Sequence, residues 1–130
     1  MLVVDGDADS RDFLIMLLEE YEVEAIGATC VSESLEIMQQ DCPDLLISEI
    51  VLPGEDGYSL IRQVKAFELA YNVQIPAIAV TACVSKVSQI QALTAGFCKY
   101  LPKPLDIDRF ISTVACVTEQ IQGIALSACQ

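Results

Sequence analysis

A chain of 130 residues with 53% apolar and only 20% charged residues has the size and composition of one ordinary folded domain, far from that of a disordered segment. Its 19 acidic against 7 basic residues leave a net charge of -12, which repels polyanions and argues against direct nucleic-acid binding. The most apolar stretch, around 75–84, is about half as long as a membrane span, and Met1-Leu2-Val3-Val4-Asp5 lacks the basic segment and apolar core of a signal peptide. No membrane partner is expected, and the expected location is the cytoplasm. Cys30, Cys42, Cys83, Cys98, Cys116 and Cys129 form no C-x-x-C pair, and several lie in apolar runs. They read as reduced thiols that pack as small hydrophobes, not as a disulfide or zinc framework.

In chain order, a short strand Leu2–Val4 runs into Asp5, and Asp7 or Asp9 is placed to cap a helix with the stripe Leu14, Leu17, Leu18 and Tyr21. A second strand is expected over Glu24–Ala28, followed by a helix carrying Leu35 and Met38. A third, Asp44–Ser48, runs into Glu49, after which Asp56-Gly57 reads as a turn opening the third helix. The fourth, Ile75–Val80, runs into Thr81, and Gly96 ends the helix that follows it. The fifth, Lys99–Leu101, leads to Lys103, and Pro104 blocks its continuation before a last helix with the stripe Ile107, Phe110, Ile111, Val114 and Ile121.

Five strand-helix units with nearly continuous apolar strands indicate an α/β fold: a five-stranded parallel sheet, doubly wound, with helices on both faces. Residues 1–122 are read as the domain and 123–130 as a C-terminal tail. In such sheets the functional crevice lies beyond the carboxyl ends of the strands. Asp5, Glu49, Thr81 and Lys103 each stand at or just after the end of a different predicted strand.

The segments Val3-Val4-Asp5-Gly6-Asp7, Ile47-Ser48-Glu49-Ile50-Val51-Leu52-Pro53 with Asp56-Gly57, Val80-Thr81-Ala82 and Tyr100-Leu101-Pro102-Lys103-Pro104 resemble the receiver domains of two-component response regulators. The resemblance spans about residues 2–120 and rests on four separated motifs in the right order, any one of which is weak alone. It implies a flavodoxin-like (βα)5 fold and a signalling module whose partners are a histidine kinase or another signalling protein, with a homodimer compatible. In that family an acidic pair and a later aspartate hold Mg²⁺, and the aspartate accepts a phosphoryl group whose charge is stabilised by the metal and a lysine. By resemblance, Asp5 and Lys103 match the acid and the lysine, Thr81 and Tyr100 the switch pair, the Val51 carbonyl a backbone metal ligand, and Pro104 the proline that shapes the last loop, often through a cis bond.

Two positions depart from the family. Glu49 stands at the phosphoacceptor position, where one more methylene moves the carboxylate by up to about 1.5 Å, and Gly6 stands where the second acid is usual. The implied metal site is therefore Asp5, Glu49 and Val51 with Mg²⁺ affinity weakened, Asp7 lying near enough in sequence to compensate partly. The expectation is a pseudo-receiver, not an enzyme, that acts through protein contacts without regulated phosphorylation, with Glu49 paired to Lys103.

Simpler readings stand beside these. Asp5 and Asp7 also suit a helix N-terminus, Thr81 suits any strand end, a Glu49–Lys103 pair suits a purely structural role, and Tyr100 suits a packed aromatic with its hydroxyl in water. Val84, Val87 and Tyr100 form a candidate apolar patch. The alternatives in function are a conventional phosphorelay receiver, with Glu49, Ser48 or another acid accepting the group, and a small phosphatase using Asp5-Gly6-Asp7 as a nucleophile motif. A flavodoxin-type cofactor binder is disfavoured, because the first loop offers Asp5 and Asp7 where hydroxyls and amides are needed.

Overall fold

Alternation along the strands sorts the apolar residues of the sheet onto two faces, and each face is covered by its own helices. A computed structural model describes residues 1–82 and 85–121, with no statement on the side chains of 119–121. Its elements run β1 (Leu2–Val4), α1 (Ala8–Glu20), β2 (Ile26–Ala28), α2 (Val31–Gln40), β3 (Leu46–Ser48), α3 (Gly57–Tyr71), β4 (Ala77–Thr81), α4 (Lys86–Ala95), β5 (Lys99–Pro102) and α5 (Ile107–Ile121). The strands form one parallel sheet in the order β2-β1-β3-β4-β5. The fold is thus the doubly wound parallel arrangement expected from the strand-helix alternation, with the flavodoxin-like form that the resemblance implies.

Leu2 and Val4 of β1, Leu46 of β3, and Ala77 and Ala79 of β4 face a core shared with Val31 and Met38 of α2, Leu60, Ile61 and Val64 of α3, and Ala92 of α4. Val3, Ile47, Ile78 and Val80 face the opposite core, with Leu14, Leu17 and Leu18 of α1 and Phe110, Val114 and Val117 of α5. Because the side-chain period of a strand is two, a slip of one residue in β1 exchanges these sets and is strongly opposed.

β1 and β5 begin where expected, whereas β2, β3 and β4 begin later than the apolar runs suggested. β4 begins at Ala77, since Pro76 has no N–H to give the ladder, although the Pro76 carbonyl still accepts from Leu46 N at 2.9 Å. β2 and β3 begin two residues later than expected, at Ile26 and Leu46, and β4 and β5 each run one residue further, to Thr81 and Pro102. Tyr21 leaves the expected stripe. The α1 helix stops at Glu20, and Tyr21 is its C-cap, 58% exposed. Ile107, as the first residue of α5, is likewise exposed at the loop edge, whereas Phe110 and Val114 are buried. Val84 and the segment 123–130 lie outside the described residues.

Asp56 opens α3 as expected, accepting from Ser59 N at 2.9 Å, and Ser85, which the sequence reading did not single out, caps α4 through Ser88 N at 3.1 Å. Gly96, at φ 132°, ends α4. Asp7 is the N-cap position of α1, but its carboxylate accepts from the Ser10 hydroxyl at 2.9 Å and makes no side-chain cap bond. Among the described residues no helix is long and apolar enough to cross a membrane.

Candidate functional site

At the carboxyl end of the sheet, β1 and β3 are adjacent in register, Val4 beside Ser48, so the residues that follow them, Asp5 and Glu49, emerge side by side. The backbone holds both in place: Asp5 N donates to Ala28 O at 3.0 Å and Glu49 N to Val4 O at 2.9 Å. Both carboxylates are buried, at 3% and 8% exposure, which is costly without a compensating charge. The compensation comes from the loop after β5. Lys103 Nζ lies 2.8 Å from Asp5 Oδ2, 3.0 Å from Glu49 Oε2 and 3.4 Å from the Ser10 hydroxyl, one partner for each ammonium proton.

The remaining carboxylate oxygens are engaged by backbone amides. Asp5 Oδ1 accepts from Asp7 N at 2.9 Å, while Glu49 Oε1 accepts from Ile50 N at 2.7 Å and lies 3.5 Å from Val51 N. Gly57 is what lets the loop fold this tightly: its amide donates to Ile50 O at 2.6 Å, and an added Cβ would sit 2.7 Å from the Glu49 carbonyl. Lysine is also positioned through its backbone, since Lys103 N donates to Thr81 O at 2.9 Å and the Lys103–Pro104 peptide is cis.

This arrangement, a lysine on the fifth loop reaching acids on the first and third, can be compared with known proteins. Residues 1–115 match the family model of the response regulator receiver domain. The chain belongs to that family. It is 39% identical over 106 residues to the uncharacterized 14.6 kDa protein in sodA1 3'region of Leptolyngbya boryana, covering 82% of this chain and 79% of that one. It is 34% identical over 117 residues to the DNA-binding transcriptional regulator NtrC of Escherichia coli, covering 86% of this chain but only 23% of NtrC. A two-component response regulator from Clostridium difficile superposes with a TM-score of 0.84 at 26% identity, covering 92% of this chain and 94% of that structure.

Within the receiver, the sequence-predicted residues gather unevenly. Asp5, Glu49 and Lys103 form the ionic centre. Thr81, fully buried at the end of β4, carries Lys103 on its carbonyl. Pro104 and Lys103 border a cavity of about 280 Å³ lined also by Ser10, Phe13, Leu14, Val80 and Leu105. Val51 follows Glu49 in the loop, with its side chain 65% exposed. Tyr100 is half-buried against the core on the side of α2, α3 and α4, and its hydroxyl oxygen is shielded from solvent, contrary to the simpler reading that placed it in water. Val87 is 66% exposed and lines up with exposed Ile90 and Leu93 along α4, a stripe without Tyr100.

Receiver domains generally bind Mg²⁺ for phosphorylation. In this chain the acids of the pocket are shared with an ammonium, and among the described residues no three His, Cys, Asp or Glu stand close enough to hold one ion. Asp7 does not join Asp5 and Glu49: it is exposed, with its carboxylate turned to Ser10. That hydrogen bond, outweighing the opposing effect of desolvation, lowers its pKa.

Two contributors escaped the sequence reading. Ser10 bridges Asp7 to Lys103, and Arg11 Nη1 donates to the Asp5 carbonyl at 2.8 Å, tying α1 to the end of β1. Their signal was only their place, one turn after Asp7, and Ser and Arg in a first helical turn are too common to mark a site.

Burial pulls the Lys103 pKa down, but the hydrogen bonds and charges of Asp5 and Glu49 outweigh it, and the net value is raised above the usual lysine 10.5. A raised folded pKa means that the stabilisation is complete below the unfolded value and is lost as pH rises through the folded one. The difference in urea midpoint between the unaltered chain and Lys103→Met is therefore expected to be constant up to about pH 9 and to shrink above about pH 10.5. A gap that stays constant to higher pH would mean that Lys103 gives the folded state no charge-dependent support.

Proposed function

We propose that this chain is a pseudo-receiver: a signalling module that acts through protein contacts, without enzymatic turnover and without a regulated aspartyl phosphate, its pocket held in one state by its own side chains. The observation that carries this reading is the Lys103 ammonium seated between Asp5 Oδ2 and Glu49 Oε2 at 2.8 and 3.0 Å. Phosphoryl transfer to a carboxylate needs an oxygen free to attack in line and a cation free to meet the phosphoryl oxygens. Here one oxygen of Glu49 is bound by Ile50 N and the other by Lys103, so the acceptor and the charge-stabilising lysine neutralise each other.

The longer glutamate side chain places its own charge against Lys103, in the manner of a phosphoryl group but with one negative charge in place of about 1.5 to 2. Such a buried pair contributes more to specifying one arrangement than to net stability, because desolvation offsets much of its Coulombic gain. Contacts with a histidine kinase or another signalling protein then depend on exposed surface. The stripe Val87, Ile90 and Leu93 on α4 offers an apolar surface for such a partner or for a second copy.

The conventional alternative has less support. Ser48, the other candidate acceptor, is fully buried and donates to the Glu49 carbonyl at 2.8 Å, and Asp5, the nucleophile of the phosphatase reading, has each carboxylate oxygen engaged. Beryllofluoride, a phosphoryl stand-in, tests the lock directly. With Mg²⁺ it is expected to leave the amide NMR spectrum of the unaltered chain unchanged; shifts propagating from Ile50 and Lys103 into α4 would show a pocket that still switches.

A further inference from the structure

Charge is spread unevenly along this acidic chain. Apart from Asp106, Asp108 and Glu119, every Asp and Glu lies within 1–68, while 69–105 carries none and holds Lys86, Lys99 and Lys103. The helices inherit that division. On α4 the buried residue is Ala92, and the larger apolar side chains turn outward: Val87, Ile90 and Leu93, at 66%, 60% and 44% exposure, follow in steps of three along one face. Exposed Lys86 stands one turn before Ile90. On α1, Phe13 and Met16 are 37% and 47% exposed. Exposed Asp9 and Asp12 stand one turn before them, and exposed Glu19 and Glu20 one turn after Met16.

The fold sets these two stripes apart. α1 packs on β1 and β2 with its leucines in one core, whereas α4 packs on α3 and β5 with Ala92 in the other. β2 and β5 are the opposite edges of the sheet. One copy therefore cannot join its own stripes, but two copies can. We propose that α4 of one copy docks on α1 of the next, apolar stripe on apolar stripe, with Lys86 among the acids that border Phe13 and Met16. Charge selects this pairing. α1 on α1 sets acids against acids, and α4 on α4 meets a helix that supplies Lys86 with no acid. Only the mixed contact gives each rim its opposite charge. The net charge of -12 opposes association at long range, but physiological salt screens it beyond about 8 Å and leaves contact pairs attractive.

Because the two surfaces differ, the contact is heterologous, and assembly runs past the dimer into open chains or closed rings. Each stripe is shorter than a standard interface, so the dissociation constant is expected on the order of 0.1 mM. The contact lies on the outer surface and does not depend on the state of the pocket.

The test is sedimentation equilibrium, up to about 1 mM so as to bracket that constant. It compares the unaltered chain, Ile90→Glu, Phe13→Ser/Met16→Ser, and an equimolar mixture of these two variants, each checked for folding by thermal unfolding. The unaltered chain is expected to reach a weight-average mass above that of a dimer. Each variant alone is expected to stay monomeric, having one intact stripe, while the mixture forms a heterodimer and stops there. Self-association of Phe13→Ser/Met16→Ser overturns the proposal in favour of α4 on α4, and self-association of Ile90→Glu overturns it in favour of another face. An unaltered chain that stays monomeric, or a mixture that forms no heterodimer, overturns it as well. Should loss of Phe13 unfold the double variant, Met16→Ser takes its place, with self-association expected to weaken about tenfold.

Discussion

Lys103→Met is expected to destabilise the fold by about 3–5 kcal/mol, read as a lowered urea midpoint near neutral pH. The substitution keeps most of the aliphatic stem but removes the charge at 2.8 Å from Asp5 and 3.0 Å from Glu49, leaving two carboxylates at 3% and 8% exposure with no cation between them. Removing one partner of a buried ion pair is far more harmful than removing all of it, because the orphaned charges keep their desolvation penalty. The companion prediction follows: adding Asp5→Asn and Glu49→Gln to Lys103→Met is expected to recover most of the loss. The order of the single and triple variants separates a buried, interlocked pair from a surface bridge, for which about 0–1 kcal/mol is usual. A loss below about 1 kcal/mol for Lys103→Met means that the pocket is solvated and holds no lock.

The second large effect is chemical. Incubated with Mg²⁺ and a small acyl phosphate, the unaltered chain is expected to keep its intact mass over hours, whereas Glu49→Asp/Gly6→Asp gains one phosphoryl group. Shortening Glu49 by one methylene draws the carboxylate back from Lys103 by up to about 1.5 Å and frees the ammonium to meet phosphoryl oxygens. A misplacement of that size costs on the order of a hundredfold in rate, so the difference between the two proteins is kinetic and large. Glu49→Asp alone tests how the parts divide: it corrects the acceptor but leaves the second acid missing at Gly6, and its modification is expected to be slower than that of the double variant. Modification of the unaltered chain, located by peptide mapping, identifies a working acceptor and removes the pseudo-receiver reading.

Much of the architecture was legible because it follows from local rules that tertiary contacts reinforce. Leu2–Val4 and the runs ending at Ser48 and at Thr81 are apolar up to those two hydroxyl residues, as suits strands covered on both faces, and Gly96, Asp56 and Pro104 act where their backbone chemistry dictates. Misjudged edges had equally physical causes. Nothing local distinguishes Glu24 and Ala25 from the strand that follows, and Tyr21 continues the spacing of Leu14, Leu17 and Leu18 although the helix ends one residue before it. Spacing reports which residues share a face, not where the backbone leaves the helix.

The sequence by itself determined the five strand-helix units, the parallel sheet, and the placing of Asp5, Glu49, Thr81 and Lys103 at strand ends, since periodicity and turn residues are properties of short segments. It also showed the two departures, Glu49 and Gly6, as matters of residue type. Only the tertiary structure decided what those departures do. The reach of Lys103 to both acids, the support of Ser10 and Arg11, the shielding of the Tyr100 hydroxyl and the seating of Pro53 over Gly6 join residues from separate loops. Their distances depend on strand order and register, which bring the ends of β1, β3 and β5 together although 98 residues separate Asp5 from Lys103.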